Sequence, residues 1–346
     1  MPTNQRLDDW FKERKNRLSE RNATALFERI CQQDRTALSA AITLVESHRP
    51  EDRMEANKLL QLCLSLNKRS WRIGITGVPG VGKSTFIESF GNFVLQHQSK
   101  LAVLAIDPSS NVSGGSILGD KTRMETLSKN DRVFIRPTAA GSTLGGVARH
   151  TREAIILCEA AGFEVIFIET VGVGQSETIV HSMVDYFLLL MLAGAGDELQ
   201  GMKRGIMEMA DGMIITKADG ENVQKAQWAR REYANALHLF PPKENEWIPK
   251  VHTASSLNKE GFEEIWTNVS SFFHQMNHSG WLEENRKRQE VSVLEEMLRS
   301  LLQADFFANN HWMELYHQKE AQVKSGSILA YQAAEELFRE FRAVGL

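Results

Sequence analysis

One nine-residue string restricts the fold of this chain more than any other: Gly77-Val78-Pro79-Gly80-Val81-Gly82-Lys83-Ser84-Thr85. It fits the pattern GxxxxGK[ST]. It also stands between an apolar run ending at Thr76 and an amphipathic stretch beginning at Lys83, the strand–loop–helix context that the pattern needs. The glycines let consecutive backbone N–H groups curl around a phosphate chain that side chains would obstruct. A helix starting at Lys83 adds partial positive charge facing the anion. Lys83 is expected to reach the β and γ phosphates, and the Ser84 hydroxyl to ligate Mg²⁺. Gly77 through Thr85 are therefore the candidate phosphate site.

Around this loop the pattern is one of short apolar strands alternating with helices. Strands are predicted at residues 72–76, 101–107, 133–137, 165–169, 186–192, 213–216 and 251–253, with helices at 83–98, 146–161 and 222–237. Such alternation implies a mostly parallel sheet covered on both faces, here a P-loop NTPase of three-layer αβα type. Ligands of these sheets sit beyond the carboxyl ends of the strands. Upstream, Leu26 and Ile30, then Leu38, Ile42 and Val45, recur at helical spacing. Downstream of Phe273 the strands stop. Charged amphipathic helices are predicted at 283–306 and 329–341, joined by a segment containing Ser325, Gly326 and Ser327. The expected organisation is a helical extension over 1–70, a P-loop nucleotide-hydrolase domain over 71–273 and a second helical extension over 274–346, whose helices could pack on their own domain or on a second copy as a dimer.

Composition removes several classes of function. A net charge of −4 over 346 residues gives no basic footprint for nucleic acid. Cys31, Cys63 and Cys158 form no CxxC pair, so neither a disulfide framework nor a thiolate metal site is expected. The most apolar stretch, 186–195, is about half the ~20 residues a membrane span requires and reads as a buried strand. Nothing at the N-terminus has the apolar core of a signal peptide, and the cytoplasm is the expected location.

Mg²⁺ takes hard oxygen ligands, so carboxylates at strand ends near the loop are candidates. Asp107 and Glu169 end predicted strands, and Asp120 lies in a Gly-rich loop long enough to fold over phosphates. Asp107 precedes Pro108-Ser109-Ser110, where helix capping is a competing role. Gly172, three residues after Glu169, is placed to offer its amide to a γ-phosphate. For the base, Asp219 in Thr216-Lys217-Ala218-Asp219 follows a strand. Its carboxylate can accept from the N1–H and 2-amino groups of guanine, donors that adenine lacks. Lys217 can lie along the base, and amides of Ser255-Ser256-Leu257 are placed for the guanine O6.

Longer strings then resemble the MeaB/ArgK GTPases: Asp107-Pro108-Ser109-Ser110, residues 115–124, Glu169 through Glu177, residues 194–201, and Gly205-Ile206-Met207-Glu208. The resemblance runs from about residue 55 to 270 and more loosely through both helical ends. It implies a homodimeric GTPase that acts as a chaperone for adenosylcobalamin-dependent methylmalonyl-CoA mutase or a related mutase, gating cofactor loading and protecting the enzyme. Lys83, Asp107, Asp120 and Glu169 would then form the catalytic centre, the three carboxylates organising Mg²⁺ and the attacking water. Asp197 and Lys203 would belong to a mobile loop reporting the nucleotide state. Two positions depart from the family: Thr216 stands where an Asn side-chain amide normally braces the P-loop, and Ser256 replaces an Ala. Asp219 is intact, so GTP preference is expected to survive.

The mechanism expected is in-line attack of water on the γ-phosphate. Arg123 and Arg149 are the candidate arginine fingers; otherwise a partner completes the site and hydrolysis in isolation is slow. Two other readings compete. The first is a phosphotransferase of the LAO/AO transport kinase type, for which no HRD-like signature is present. The second is an assembly protein for another metalloenzyme, with His274 and His278 one helical turn apart.

Overall fold

In the computed structural model, which describes residues 22–47, 49–106, 124–138, 144–170, 176–194 and 204–344, three helices come first. They are α1 (Ala23–Cys31), α2 (Arg35–Val45) and α3 (Pro50–Ser65). The sheet begins with β1 (Trp71–Gly77), α4 (Lys83–Val94), β2 (Leu101–Ile106), α5 (Glu125–Ser128) and β3 (Val133–Thr138). It continues through α6 (Leu144–Ala160), β4 (Val165–Thr170), α7 (Ser176–His181), β5 (Tyr186–Leu192) and α8 (Arg204–Met209). Then follow β6 (Gly212–Thr216), α9 (Val223–Leu237), β7 (Lys250–Thr253) and α10 (Phe262–His278). The last helices are α11 (Trp281–Ala308), α12 (Asn310–Lys324) and α13 (Ala330–Val344).

The strands lack polar–apolar alternation because helices flank the sheet. β2, β4 and β6 are buried at every position. Their order is β3-β2-β4-β1-β5-β6-β7, and every neighbouring pair is parallel. All strands therefore end at one edge. There the register sets Ile75 of β1 beside Glu169 of β4, and Ile106 of β2 beside Thr170. All seven predicted strands are present, with no end shifted by more than one residue. The helix predicted over 83–98 stops at Val94, where the amides of Gln96 and His97 turn back to the carbonyls of Phe93 and Val94.

An aromatic layer fixes α4 and α10 to the sheet. The ring of Phe90 lies 5.9 Å from Phe167 of β4 and 5.7 Å from Phe262 of α10, and Trp71 stacks on Phe273 at 4.4 Å. Each such ring contributes on the order of 1.5–3 kcal/mol through burial alone. On the other flank, α2 and α3 pack on α6, and a Glu153 carboxylate oxygen accepts from Arg53 of α3 at 2.7 Å. At the amino edge of the sheet, Arg286 is buried and donates to both Asp185 oxygens, at 2.8 and 2.6 Å. Glu159 takes the Arg72 guanidinium beside it at 2.9 and 3.0 Å. Two carboxylates thus satisfy two guanidiniums, the condition under which burying such charges is tolerated.

The chain divides into two compact units, one reaching Lys287 and one from Arg288 to Leu346. In the second, Trp312 is buried, with its ring 6.1 Å from Phe306 and 5.3 Å from Phe341. Trp312 belongs to α12, a helix where the sequence reading expects only a joining segment. Asn309 caps it, its Oδ1 accepting from the His311 amide at 3.0 Å. Among the described residues no helix is long and apolar enough to cross a membrane.

Candidate functional site

The site is built outward from the end of β1. Gly77 must be glycine there, because a Cβ would stand 2.6 Å from the Leu190 carbonyl oxygen of β5. The chain then turns into α4 through Gly82, whose φ of +88° is in the left-handed region. Val78 and Val81 are buried and pin the loop from beneath, while Pro79 and Gly80 face outward. The Lys83 Nζ donates to the Gly77 carbonyl at 3.0 Å, and the Ser84 hydroxyl donates to Glu169 Oε1 at 3.3 Å. Thr85 is exposed. Burial pushes the Lys83 ammonium below the ordinary lysine range, and the carboxylates of Glu169 and Glu177 oppose that shift. A hydroxyl and a carboxylate converging beside a phosphate loop are hard oxygen donors, a set that fits Mg²⁺.

The base side comes together from β6, β7 and the loops after them. Thr216 closes β6, and its hydroxyl donates to the Val81 carbonyl of the loop at 2.9 Å, within reach also of Met191 O at 3.2 Å. The brace expected to be missing without an asparagine is therefore present, supplied by a hydroxyl. Lys217 adopts a φ of +54° and reaches across the loop to donate to Gly80 O at 2.8 Å. Asn222 steadies the turn by donating to Lys217 O at 2.7 Å. The Asp219 carboxylate accepts from the Ser255 hydroxyl at 2.7 Å, and that hydroxyl accepts in turn from the Asn258 amide at 3.0 Å. The Ser255 amide donates to Glu260 O, so the hydroxyl and not the amide is what Ser255 turns to Asp219. Ser89 of α4 donates to Ser256 O at 3.1 Å, and Leu257 is exposed at the rim.

The structure thus brings Lys83, Ser84 and Glu169 together at the candidate phosphate end, and Lys217, Asp219, Ser255 and Ser256 at the candidate base end. Asp107, Asp120, Arg123, Gly172, Asp197 and Lys203 lie outside the described residues. Arg149 is held by Glu153 at 3.0 Å on α6. His274 and His278 are exposed on α10. Among the described residues no three of His, Cys, Asp and Glu are grouped to hold a metal. Sequence reasoning gave Glu177 no role, although it lies in a quoted string. It is 1% exposed on α7, a burial that only the fold reveals.

With this geometry in place, comparisons identify similar proteins. A family model described as methylmalonyl Co-A mutase-associated GTPase MeaB matches residues 38–311. The GTPase ArgK of Escherichia coli is 43% identical over 90% of this chain and 94% of its own. The mitochondrial methylmalonic aciduria type A homolog of Mus musculus is 42% identical over 94% of this chain and 80% of its own. A crystal structure described as LAO/AO transport system kinase superposes with a TM-score of 0.76 at 36% identity, covering 92% of this chain and 97% of that one.

Proposed function

Because the chain belongs to the MeaB family and is a P-loop GTPase, we propose that it hydrolyses GTP as the Mg²⁺ complex to gate an adenosylcobalamin-dependent mutase. The client in this reading is methylmalonyl-CoA mutase or a close relative, which the chain serves as a chaperone for cofactor loading and protection. The family description and the methylmalonic aciduria homologue support that choice.

The observation that carries the guanine reading is Asp219, oriented by Ser255 at the same sheet edge as the phosphate loop. Ser84 and Glu169 would hold Mg²⁺, with Asp107 and Asp120 completing the acidic set. The ion would neutralise charge on the β and γ phosphates. Lys83 and the loop amides then stabilise charge on the transferring phosphoryl group, and water attacks in line. Arg149 is engaged by Glu153 and Arg123 lies outside the described residues; in this reading a partner completes the site. The expected result is slow GTP turnover alone and faster turnover with the mutase added. Fast turnover indifferent to the mutase would count against the chaperone role.

A homodimer is part of the same reading. On α11, Val291, Leu294, Leu298 and Leu301 repeat at three- and four-residue spacing and are 57, 68, 54 and 62% exposed. An apolar seam of that period is what a second copy of the helix would cover. Sedimentation of Leu294→Glu and Leu298→Glu together should give monomers if the seam carries the dimer.

A further inference from the structure

The buried carboxylate of Glu177 stands close to the phosphate loop without belonging to it. α7 packs on β1 and β4, and the Cγ1 of Val180 comes so near Gly74 that a Cβ there would lie 2.8 Å away. A helix connecting two parallel strands runs opposite to them, so Glu177 sits one turn, roughly 5 Å, nearer the carboxyl end of β1 than Val180. That end is Gly77, whose carbonyl accepts from Lys83 at 3.0 Å. Glu177 is 1% exposed, and the ammonium of Lys83 is stabilised by Glu169 and by Glu177 against its own burial. A charge this deeply buried is screened little by salt or water.

If Lys83 reaches the β and γ phosphates, its attraction to Glu177 is weakened as the phosphates take it. GTP brings one more negative charge than GDP, and on the phosphate-site reading it brings that charge to the end of the loop where Lys83 feels this carboxylate. We infer that Glu177 is a positioning residue for Lys83, a buried counter-charge that weakens triphosphate binding relative to diphosphate. It thereby sets the balance between the two nucleotide states. The inference rests on the phosphate-site reading given above and adds the residue that tunes it.

The test compares GTP and GDP affinities of the full chain with fluorescent nucleotide analogues in Mg²⁺ buffer, for wild type, Glu177→Gln and Glu177→Met. Glutamine keeps the shape and removes the charge; methionine removes the charge and the polar atoms together, so a second variant is in hand should one of them fail to fold. Removing the charge should raise the ratio of GTP to GDP affinity by about three- to tenfold, the size expected for unit charges on the order of 10 Å apart at an effective dielectric near 20, partly offset by Lys83. A purely structural role would lower both affinities together. An unchanged ratio in whichever variant folds overturns the inference. Failure of the wild type to bind either nucleotide would instead overturn the phosphate-site reading itself.

Discussion

On the proposed function, the phosphate side of the site is nine consecutive residues whose main chain would do the binding, whereas the base side draws on separate segments at 216–219 and 255–258. The first is rigid because Val78 and Val81 are buried and Gly77 touches the Leu190 carbonyl. The second is held by a relay in which Asn258 N–H donates to Ser255, and Ser255 donates to Asp219. The difference teaches where energy for catalysis and energy for selectivity reside. Damage to the phosphate side should reduce chemistry for any purine nucleotide, while damage to the base side should change which purine is chosen. Lys83→Ala gives the largest expected effect, a loss of roughly a hundred- to a thousandfold in GTP turnover, the cost of removing one preorganised donor to a developing charge. Equal activity in this variant would dissolve the comparison.

Asp219→Asn sharpens it. In the proposed reading the carboxylate would accept two hydrogen bonds from guanine, and an amide in its place could accept only one while offering a donor that clashes with the ring N1–H. GTP affinity should fall about a hundredfold, the loss of roughly 3 kcal/mol from charge-assisted bonds. Xanthosine triphosphate, which carries a carbonyl where guanine has its amino group, should gain. Competition binding with the two nucleotides reads both changes at once. If GTP and ATP affinities fall together instead, Asp219 does not read the base.

The same contrast explains what could be read before the fold was known. A contiguous motif declares itself, because its glycines, lysine and serine stand at fixed offsets and the flanking apolar run and helix confirm the context. The seven strands were legible for the related reason that parallel, doubly covered strands are unbroken apolar runs. Contacts between distant segments leave no such mark. That Thr216 bonds Val81, 135 positions away, depends on β5 and β6 lying side by side, which spacing alone does not reveal. Judged by residue type alone, position 216 therefore reads as deficient. The place of Ser255 after β7 suggests an amide role, but the antiparallel bridge to Glu260 uses that amide, and the hydroxyl meets Asp219 instead. The α12 helix was hidden because its polar sequence has little periodicity and its single buried anchor, Trp312, meets partners supplied by α11 and α13.

Thr216 also supplies the smallest and most discriminating test. Its hydroxyl fixes the loop carbonyl of Val81, not the base, so Thr216→Val should weaken GTP, GDP and ATP by a common factor. One hydrogen bond of this kind is worth about 1 kcal/mol, or roughly fivefold in affinity. Thr216→Asn restores a side-chain donor and should recover most of the loss. Ser255→Ala, which frees Asp219 without touching the phosphate loop, should cost a similar amount for GTP and GDP but leave ATP unaffected. Isothermal titration of the three nucleotides against these variants separates the two patterns. A guanine-selective loss in Thr216→Val would mean that the brace and the base reader are one coupled unit, and the division between the two sides of the site would no longer hold.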